Sequence, residues 1–598
     1  MSLLGTLARA TESRRVWFKF PFVPAIMIIL GHRENLRQGN LIDLETKPPT
    51  PEPVGDPVNF RTANGSYNDL GAPWMGMAGT RFGRNVKPEA AFGETGEALM
   101  TPSPRLVSNR LLARGDFTPV PHLNVLAAAW IQFMVHDWLS HGSNDKDRLH
   151  DIPLPEGDDW DGPMQVPATT LSPAGDGDAG RPPAYTNAET HWWDASQIYG
   201  SNAERLAMVR TGSGTEVRPD GTLALDERGL LPVDSPSGVA DLELSGVNGN
   251  WWIGLSVLHT LFVREHNAVV ARLRVDYPNA SGEWLFGKAR LVVSALLAKI
   301  HTVEWTPALM DSPVGRMAMR GNFWGLIGER ATVANGRFSE SEVVNGIPGS
   351  PADHHGAPYA MTEEFAAVYR LHSLMPDDYD FRRAADDSPV LKTDLAGVSH
   401  GAAHRLYREL GFDDVLYSLC TEHPGALVLH NFPRGLRNLR RENGRVVDLA
   451  AIDILRDRER GVPRFAEFRR QIGMSVPRTF EDITSNPEWA AELRDVYGTV
   501  DKVDLLVGTL AESQSARGQP PRFGFSDTAF RIFILMASRR LKSDRFFTED
   551  FRPEIYTDAG YQWVLRNSMR SVVERHCPGL AHAFGDARNM FFPWTRAS

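Results

Sequence analysis

Apolar residues recur at helical spacing along long stretches of this chain, and this pattern constrains the fold more than any other feature of the sequence. Such residues lie three or four positions apart in residues 250–276, 283–304 and 361–375, which is the spacing of one helix face. Shorter runs of the same kind occur at residues 402–410, 488–496, 527–542 and 559–576. Alternating strand patterns are scarce and short. The sequence therefore predicts a mainly α fold, with long irregular loops and few short strands.

The chain has 598 residues and contains no Gly/Ser linker, internal repeat or low-complexity tract that would divide it. One large helical body over residues 119–598 fits this continuity better than several small domains. Residues 31–118 instead carry many Gly, Pro and Asn residues, as in KPPTPEPVGDP and NGSYNDLGAPWMGMAG, which is typical of irregular loops. We therefore expect residues 1–118 to form an N-terminal arm and an irregular wrap that pack on this body.

A mostly apolar run, VWFKFPFVPAIMIIL, occupies residues 16–30. Lys19, Pro21 and Pro24 interrupt it, and it is shorter than the roughly 20 residues that a membrane-spanning helix needs. No small-residue cleavage site follows it, so a signal peptide is not expected. We interpret the run as an apolar arm packed on the body, with peripheral contact to a membrane surface as the alternative.

The chain carries 64 Lys and Arg residues against 74 Asp and Glu residues, a net charge of −10. This acidic balance argues against a nucleic-acid partner. The two cysteines, Cys420 and Cys577, lie far apart and in no CxxC pattern, which favours a reducing compartment such as the cytoplasm over a disulfide framework. Neither cysteine stands in a C-x-x-C-H motif, so any haem is expected to bind without a thioether link.

A tyrosine and a histidine stand three residues apart in MTEEFAAVYRLHSLMPD, residues 361–377. Thr362 is suited to the N-cap and Pro376 ends the run, so we predict one helix here. On such a helix Tyr369 and His372 lie about 60° apart around the axis and can face one cofactor. Histidine is a common protein ligand of haem iron, and tyrosine can hold a one-electron oxidation beside it. The alternative is that both residues belong to an ordinary core.

A second pair of polar residues lies on a helix that is otherwise apolar. The stretch NVLAAAWIQFMVHDWLSH, residues 124–141, follows two prolines and is rich in strong helix formers. Gln132 and His136 are four residues apart and therefore share a face of this helix. Buried polar side chains need hydrogen-bond partners, and a bound polar ligand would supply them. The two predicted helices could hold a haem between His372 and this pair.

The segment THWWDAS, which begins at Thr190, carries oxygen atoms at every second position. Residues two apart face the same way in an extended segment, so Thr190, the Trp192 carbonyl, Asp194 and Ser196 can converge on one cation. Calcium takes roughly six to eight oxygen ligands, and Asp137 could supply a second carboxylate. The alternative is a turn rich in Asp and Ser that holds no ion.

Two further places carry side chains that are suited to a carboxylate. His301 and Thr306 lie in KIHTVEWT, and Arg539 and Arg540 lie in SRRL. An Arg guanidinium is a planar fork that pairs with a carboxylate, and His or Thr can complete such a clamp. The sequence leaves other interpretations open: surface salt bridges or a haem propionate for the arginines, and a core hydrogen bond for His301.

Taken in order along the chain, these motifs resemble those of the peroxidase-cyclooxygenase haem superfamily, and most closely those of the fatty acid α-dioxygenases. The resemblance covers most of the chain. It implies that WIQFMVHDW is the distal helix, with Gln132 and His136 in catalytic roles and His136 on the distal side of the haem. It implies that THWWDAS and Asp137 form a calcium loop. It also implies that VYRLHSLMPD provides His372 as the axial iron ligand and Tyr369 as the radical-bearing residue.

The same resemblance implies that His301, Thr306 and Arg540 bind the carboxylate of a long-chain fatty acid, with Arg540 preferred over Arg539. The implied cofactors are haem b and Ca²⁺, in a helical haem-containing catalytic domain over residues 119–598. The implied reaction is removal of an α-hydrogen by a tyrosyl radical, followed by addition of O2, in an enzyme that a peroxide activates and that acts as a monomer. The product would be a 2-hydroperoxy fatty acid, which can lose CO2 to give an aldehyde.

Two departures from the superfamily pattern limit what is carried over. Val135 precedes the distal histidine where mammalian peroxidases have an Asp esterified to the haem, so this covalent link is not expected. Asp453, in DILRDRERGVPRF, stands where those peroxidases have an Asn that accepts the proximal histidine proton, and its role stays open. The alternative function is a haem peroxidase that uses H2O2 to oxidise small aromatic or halide substrates. A different class is a haem carrier or sensor without turnover.

Overall fold

Helices dominate the computed structural model, which describes residues 3–12, 16–160, 162–175, 177–212, 217–233, 241–440, 445–512 and 522–597. Up to residue 350 the α-helices are α1 (Leu3–Glu12), α2 (Phe22–Gly39), α3 (Gly96–Leu99), α4 (Pro104–Val107), α5 (Val125–Trp138), α6 (Ser196–Tyr199), α7 (Ala203–Thr211), α8 (Ile253–Asp276), α9 (Gly282–Ile300), α10 (Thr306–Leu309), α11 (Pro313–Trp324), α12 (Gly328–Asn335) and α13 (Glu342–Asn345).

Beyond residue 350 the α-helices are α14 (Glu363–Val368), α15 (Gly401–Leu406), α16 (Phe412–Thr421), α17 (Arg434–Arg437), α18 (Leu449–Glu459), α19 (Phe465–Gln471), α20 (Pro487–Tyr497), α21 (Leu505–Glu512), α22 (Asp527–Ser543), α23 (Pro553–Tyr556), α24 (Asp558–Arg566), α25 (Met569–His576) and α26 (Ala581–Phe584). Three short antiparallel hairpins accompany them: β1 (Asp145–Ile152) with β2 (Met164–Ala168), β3 (Asp378–Arg382) with β4 (Pro389–Asp394), and β5 (Leu439–Arg440) with β6 (Val446–Val447). The predicted mainly α fold is confirmed.

Side-chain caps fix the start of the helices that matter most for the site. The side chain of Asn124 accepts a hydrogen bond from a first-turn backbone N–H of α5, and Ser526 does the same for α22. Such a bond satisfies one of the N–H groups that a helix start leaves without a partner. The predicted helix over residues 559–576 is instead two helices, because Asn567 adopts an extended backbone and Ser568 caps α25.

The N-terminal arm is more regular than its sequence suggested. Residues 22–39 form the helix α2, although Pro24 lies inside it. Proline is tolerated there because it stands in the first turn, where its missing N–H would have had no helical partner. Beyond α5, the chain forms the β1–β2 hairpin. In the part of the chain described here, no helix is both long enough and apolar enough to cross a membrane.

The centre of the molecule is the packed pair α8 and α9, against which α5 and α24 lie. Almost every residue of α9 from its second turn onward is buried, including the charged Lys288 and Arg290. A single hydrophobic cluster extends from Ala8 in the arm to Trp594 near the C-terminus. The arm and the wrap therefore share their core with the body, and the domain boundary at residue 118 stays a prediction.

A fully buried ion pair joins the wrap to the helix α14. Nε of Arg84 donates to Oε1 of Glu364 at 2.7 Å, and the backbone N–H of Asn85 donates to Oε2 at 2.6 Å. The same guanidinium donates to the carbonyls of Arg460 and Gly461. The pair thus ties three segments together immediately before Tyr369, which follows the last residue of α14.

Arg84→Met should lower the free energy of unfolding by about 3–5 kcal/mol, because it leaves the Glu364 carboxylate buried without its partner. Urea unfolding followed by circular dichroism measures this change. The matched control is Arg110→Met, which removes an exposed ion pair with Asp495 and should cost less than about 1 kcal/mol. Equal losses for the two variants would contradict the importance of the buried pair.

Candidate active site

His372 begins a short 3-10 helix, His372–Leu374, and does not continue α14. The predicted single helix over residues 361–377 is therefore wrong beyond Val368, although Thr362 caps its start as expected. Arg370 accounts for part of this break, because its guanidinium reaches α18. There it forms an ion pair with Asp457 at 2.7 Å and donates to the carbonyl of Asp453.

The ring of His372 is held by a carboxylate. Nδ1 of His372 lies 2.8 Å from Oδ2 of Asp453, a residue of α18. An ionised carboxylate only accepts hydrogen bonds, so Nδ1 carries the proton and the lone pair of Nε2 remains for a metal. The His372 side chain is 34% exposed, whereas Asp453 is buried. These residues fit an axial haem ligand with a hydrogen-bonded second partner, and Asp453 is that partner.

Tyr369 lies in an aromatic enclosure. Its ring centroid is 4.3 Å from that of Phe365, 5.8 Å from Trp138, 6.0 Å from Phe525 and 6.1 Å from Phe533. Burial raises the pKa of the Tyr369 phenol well above its usual value, so the residue keeps its O–H at neutral pH. Among the residues described, none forms a hydrogen bond with that hydroxyl.

The guanidinium of Arg540 packs against two neighbouring indole rings, which we call the tryptophan bracket (Trp138 and Trp193). Its central carbon is 3.7 Å from the ring centroid of Trp138 and 4.4 Å from that of Trp193. Burial lowers the pKa of Arg540 to about 10, which leaves the group charged at neutral pH. Its Nε and Nη2 atoms are buried and find no hydrogen-bond partner within the described residues. A buried cation with unpaired donors is costly, and an anionic ligand would remove that cost.

His301 contacts the same bracket, and a neighbour fixes its tautomer. The His301 ring is 5.2 Å from Trp138 and 5.5 Å from Trp193, and the indole N–H of Trp130 points to its Nδ1 at 3.2 Å. Burial, with Arg540 adding to it, lowers the pKa of His301 well below its usual value. An indole can only donate, so the neutral imidazole accepts at Nδ1 and carries its proton on Nε2. That N–H can donate to a carboxylate.

Thr306 is close to His301, but its hydroxyl already donates a hydrogen bond within the protein. Residues His301–Trp305 form a turn of π-helix between α9 and α10, a geometry that is frequent at functional sites. The hydroxyl of Thr306 donates to the carbonyl of His301 at 2.8 Å. Thr306 can therefore donate to a ligand only after its hydroxyl turns away from that carbonyl.

Arg539, the neighbour of Arg540, points to a different part of the molecule. Its Nη2 donates to the carbonyls of Ala357 and Pro358, at 2.8 Å in each case. These contacts hold the segment that precedes α14. The geometry separates the two arginines that the sequence left as alternatives, since Arg540 is the one beside Tyr369 and His301.

On α5, the two predicted distal residues differ in their surroundings. Nδ1 of His136 is buried without a hydrogen-bond partner in the described chain, and burial lowers the pKa of His136 to about 4. It is therefore neutral at physiological pH and able to take up a proton. Gln132 instead uses both ends of its amide, since Nε2 donates to the carbonyl of Asn250 and Oε1 accepts from the indole of Trp252.

The predicted calcium loop brings its oxygen atoms together. Oδ1 of Asp137 accepts from the backbone N–H of Ser196 at 2.6 Å, and Oδ1 of Asp194 accepts from the same N–H at 3.2 Å. Oγ1 of Thr190 and Oδ2 of Asp194 are buried with no hydrogen-bond partner in the described residues. Burial raises the pKa of both carboxyls, so a cation would be favoured here. Arg290 already stands 3.4 Å from Asp194.

Within the described ranges, no group of three or more His, Cys, Asp or Glu side chains could hold a metal ion. The candidate calcium loop has two carboxylates, with hydroxyl and carbonyl oxygens as the remaining donors. This set lacks a third acidic ligand but matches the oxygen chemistry of calcium.

Sequence reasoning missed the tryptophan bracket. It assigned a role only to the carbonyl of Trp192 in THWWDAS, and none to Trp138 or Trp193. A signal was present, because each of these two indoles is next in sequence to a proposed calcium ligand, Asp137 and Asp194 respectively. Large aromatic rings next to a buried Arg are the side chains that can shield its charge.

Comparison with known proteins identifies the family of this chain. Residues 60–588 match the family model of the animal haem peroxidases. The α-dioxygenase PIOX of Oryza sativa is 37% identical over 98% of this chain and 94% of its own length. The crystal structure of the Arabidopsis thaliana fatty acid α-dioxygenase is 34% identical, with a TM-score of 0.90 over 99% of this chain and 93% of that chain.

A structure of a Tyr-to-Phe variant of the rice fatty acid α-dioxygenase, solved with palmitic acid, superposes with a TM-score of 0.89. It is 34% identical and covers 99% of this chain and 97% of that chain. The family model spans well over half of the chain, and the relatives cover nearly all of it. The chain therefore belongs to the animal haem peroxidase family and, within it, to the α-dioxygenases.

Proposed function

We propose that this chain is a haem-dependent dioxygenase that converts a long-chain fatty acid into its 2-hydroperoxide. One observation carries this proposal: Arg540, His301 and Tyr369 all contact the ring of Trp138 inside one buried enclosure. A cation, a neutral N–H donor and a protonated phenol thus surround a single ring. This set suits a substrate with a carboxylate next to the reacting carbon. The palmitic acid bound to the rice relative supports a fatty acid as that substrate.

Haem is the cofactor of the family, and His372 would hold its iron through Nε2, with Asp453 fixing the ring. When bound and activated by a peroxide, haem supplies a one-electron oxidising equivalent. His136 would face the peroxide on the distal side and accept its proton, since the residue is neutral above pH 4. Gln132 would position the α5 helix through its bonds to the 250–252 turn.

The carboxylate of the fatty acid would bind to Arg540 and to Nε2–H of His301. The unpaired guanidinium donors of Arg540 support this assignment, because a charge-assisted hydrogen bond would satisfy them. Thr306 would join the clamp by turning its hydroxyl. Arg539 would hold the 354–358 segment and make no contact with substrate. Fixing the carboxylate places the adjacent CH2, and no other, next to the phenol of Tyr369.

The reaction would then proceed through Tyr369. Loss of one electron and one proton converts its phenol into a tyrosyl radical, which removes a hydrogen atom from the α-carbon and becomes a phenol again. O2 adds to the carbon radical to give a peroxyl radical. That radical takes the hydrogen atom back from Tyr369, which yields the 2-hydroperoxy acid and restores the tyrosyl radical. Loss of CO2 and water from the product gives an aldehyde one carbon shorter.

Calcium would bind at Asp137, Thr190, the Trp192 carbonyl, Asp194 and Ser196. The raised pKa values of the two carboxyls support this proposal, because burial disfavours their charged forms and a bound cation would offset that cost; the charge of Asp194 further raises the pKa of Asp137. We also propose a monomeric enzyme of the cytoplasm. The two cysteines, both buried and unpaired, suit that reducing compartment.

Tyr369→Phe should abolish O2 uptake with palmitic acid, by about a hundredfold or more, because phenylalanine cannot form the radical that starts the reaction. An oxygen electrode measures the rate, and an unchanged haem absorption band shows that the cofactor is still bound. Tyr407→Phe is the control, since Tyr407 is also buried but belongs to another part of the core. A conventional peroxidase does not need this phenol. Wild-type O2 uptake with palmitic acid in Tyr369→Phe would therefore reject the dioxygenase mechanism.

Arg540→Gln should raise KM for palmitic acid roughly tenfold to a hundredfold, since a charge-assisted hydrogen bond to the carboxylate is lost. Steady-state O2 uptake gives KM and kcat, and the haem band serves as the reference for cofactor binding. Arg539→Gln should change KM less than about threefold, because that residue binds backbone carbonyls. If Arg540→Gln weakened the haem absorption band as much as it raised KM, Arg540 would instead bind a haem propionate.

Added Ca²⁺ should stabilise the protein against urea by about 2–3 kcal/mol at a hundredfold excess over Kd, because it binds the folded state alone. Asp194→Asn should remove this response, and so should a chelator. Asp504→Asn is the control: Asp504 is equally buried but pairs with Arg458, so its calcium response should persist. A response that Asp194→Asn leaves intact would move the calcium site elsewhere.

A further inference from the structure

One face of the first turns of α2 is apolar and exposed. Phe22, Val23 and Met27 are 44%, 67% and 40% exposed, and Ile26 and Leu30 beside them are half-buried. At about 100° per residue these five side chains fall within an arc of about 140°. We call them the α2 stripe. The opposite arc packs into the core through Ala25, Ile28 and Ile29.

The exposed face of α2 changes character beyond Leu30. Its next members are Arg33, Glu34 and Arg37, of which the two arginines form ion pairs with Glu342. Arg33 also holds the segment between α11 and α13 against α2, through hydrogen bonds to Asn322 and Glu342. There Leu326 and Val343 are exposed side by side, joined by a backbone hydrogen bond of 2.9 Å. Soluble monomers rarely expose contiguous apolar patches of this kind without a use for them.

The first 30 residues of the chain carry a net positive charge, unlike the whole protein. Residues 1–30 carry Arg9, Arg14, Arg15 and Lys19 against the single acidic Glu12, whereas the chain as a whole has a net charge of −10. A helix with an apolar face and basic neighbours is the pattern of proteins that lie in the interface of an anionic lipid surface. The charge excess therefore favours a lipid surface over a second copy of this acidic chain.

The stripe also lies near the substrate enclosure. α2 packs directly on α22, the helix that carries Arg540, and Trp17 before it donates to Asp527 at the start of α22. From Trp17 a row of aromatic rings leads inward: its centroid is 5.1 Å from Phe530, Phe530 is 6.4 Å from Phe533, and Phe533 is 6.1 Å from Tyr369. Apolar contacts thus connect the arm to the catalytic phenol.

We infer that the α2 stripe docks the enzyme on an anionic lipid surface, with α2 lying in the interface. The stripe enters the boundary between headgroups and acyl chains, and the exposed Arg9 and Lys19 contact the headgroups. Insofar as the substrate is a fatty acid, which rests on the proposed function, docking delivers it from the lipid phase to the aromatic row. The enzyme then avoids drawing on the small concentration of fatty acid that is free in water.

Vesicles of three parts phosphatidylcholine to one part phosphatidylglycerol provide the test, with bound protein measured by sedimentation. The wild type should bind them, and Val23→Asp/Met27→Asp should bind at least roughly tenfold more weakly, because two charges would enter the apolar boundary. Val275→Asp is the matched control, since Val275 is 74% exposed at the end of α8 and should leave binding unchanged. An unchanged circular dichroism spectrum and an unchanged haem band show that the variants fold.

Three outcomes would overturn the inference. The first is a wild type that does not bind the vesicles, and the second is binding that the double variant retains. The third is a wild-type dimer in sedimentation velocity that the double variant dissociates, because a second copy would then cover the stripe. Measuring O2 uptake beside vesicle binding distinguishes a failure of this inference from a failure of the proposed function. Docked protein without O2 uptake from any fatty acid would reject the function alone, whereas the double variant should keep wild-type kcat with a short, water-soluble fatty acid.

Discussion

The buried guanidinium of Arg540 is the constraint on which the site depends. A cation placed in an apolar interior must be shielded, paired or discharged, and here two of its nitrogens find no partner in the described residues. The two indole rings that it contacts supply an attractive surface but no hydrogen-bond acceptor. An anionic ligand from solution could accept hydrogen bonds from these unpaired nitrogens. The folded protein therefore holds part of the binding energy for a carboxylate in advance, in the unfavourable burial of this charge.

Helix α5 brings the parts of this arrangement into register. Four of its residues act on different features: Trp130 sets the tautomer of His301, His136 is the proposed distal residue, Asp137 belongs to the candidate calcium loop, and Trp138 forms half of the bracket. Because α5 packs on the central helix α8, these positions are fixed by the core. A rigid helix is a more accurate support for a site than a loop would be.

Local sequence patterns predicted much of this arrangement, and their failures have physical causes. Periodicity predicted α5 and α22, whose apolar faces are long and whose caps are strong. It failed at Tyr369, where Arg370 reaches α18 and ends the helix through contacts eighty residues away in sequence. It could not predict the π-helical turn at His301 either, or that Thr306 would bond to a carbonyl there. Pairings between distant segments decide these points, and no window of neighbouring residues contains them.

The tryptophan bracket and the candidate calcium loop are built from the same two segments of the chain. Trp138 follows Asp137 directly in the chain, and Trp193 directly precedes Asp194, so each indole is held by the backbone of a loop ligand. The two ring centroids are 5.7 Å apart, and the guanidinium of Arg540 contacts both rings only while they stay side by side. Two buried carboxylates repel each other and would push these backbones apart. A bound cation that neutralised them would hold the indoles together, and would so support substrate binding without contact with the substrate.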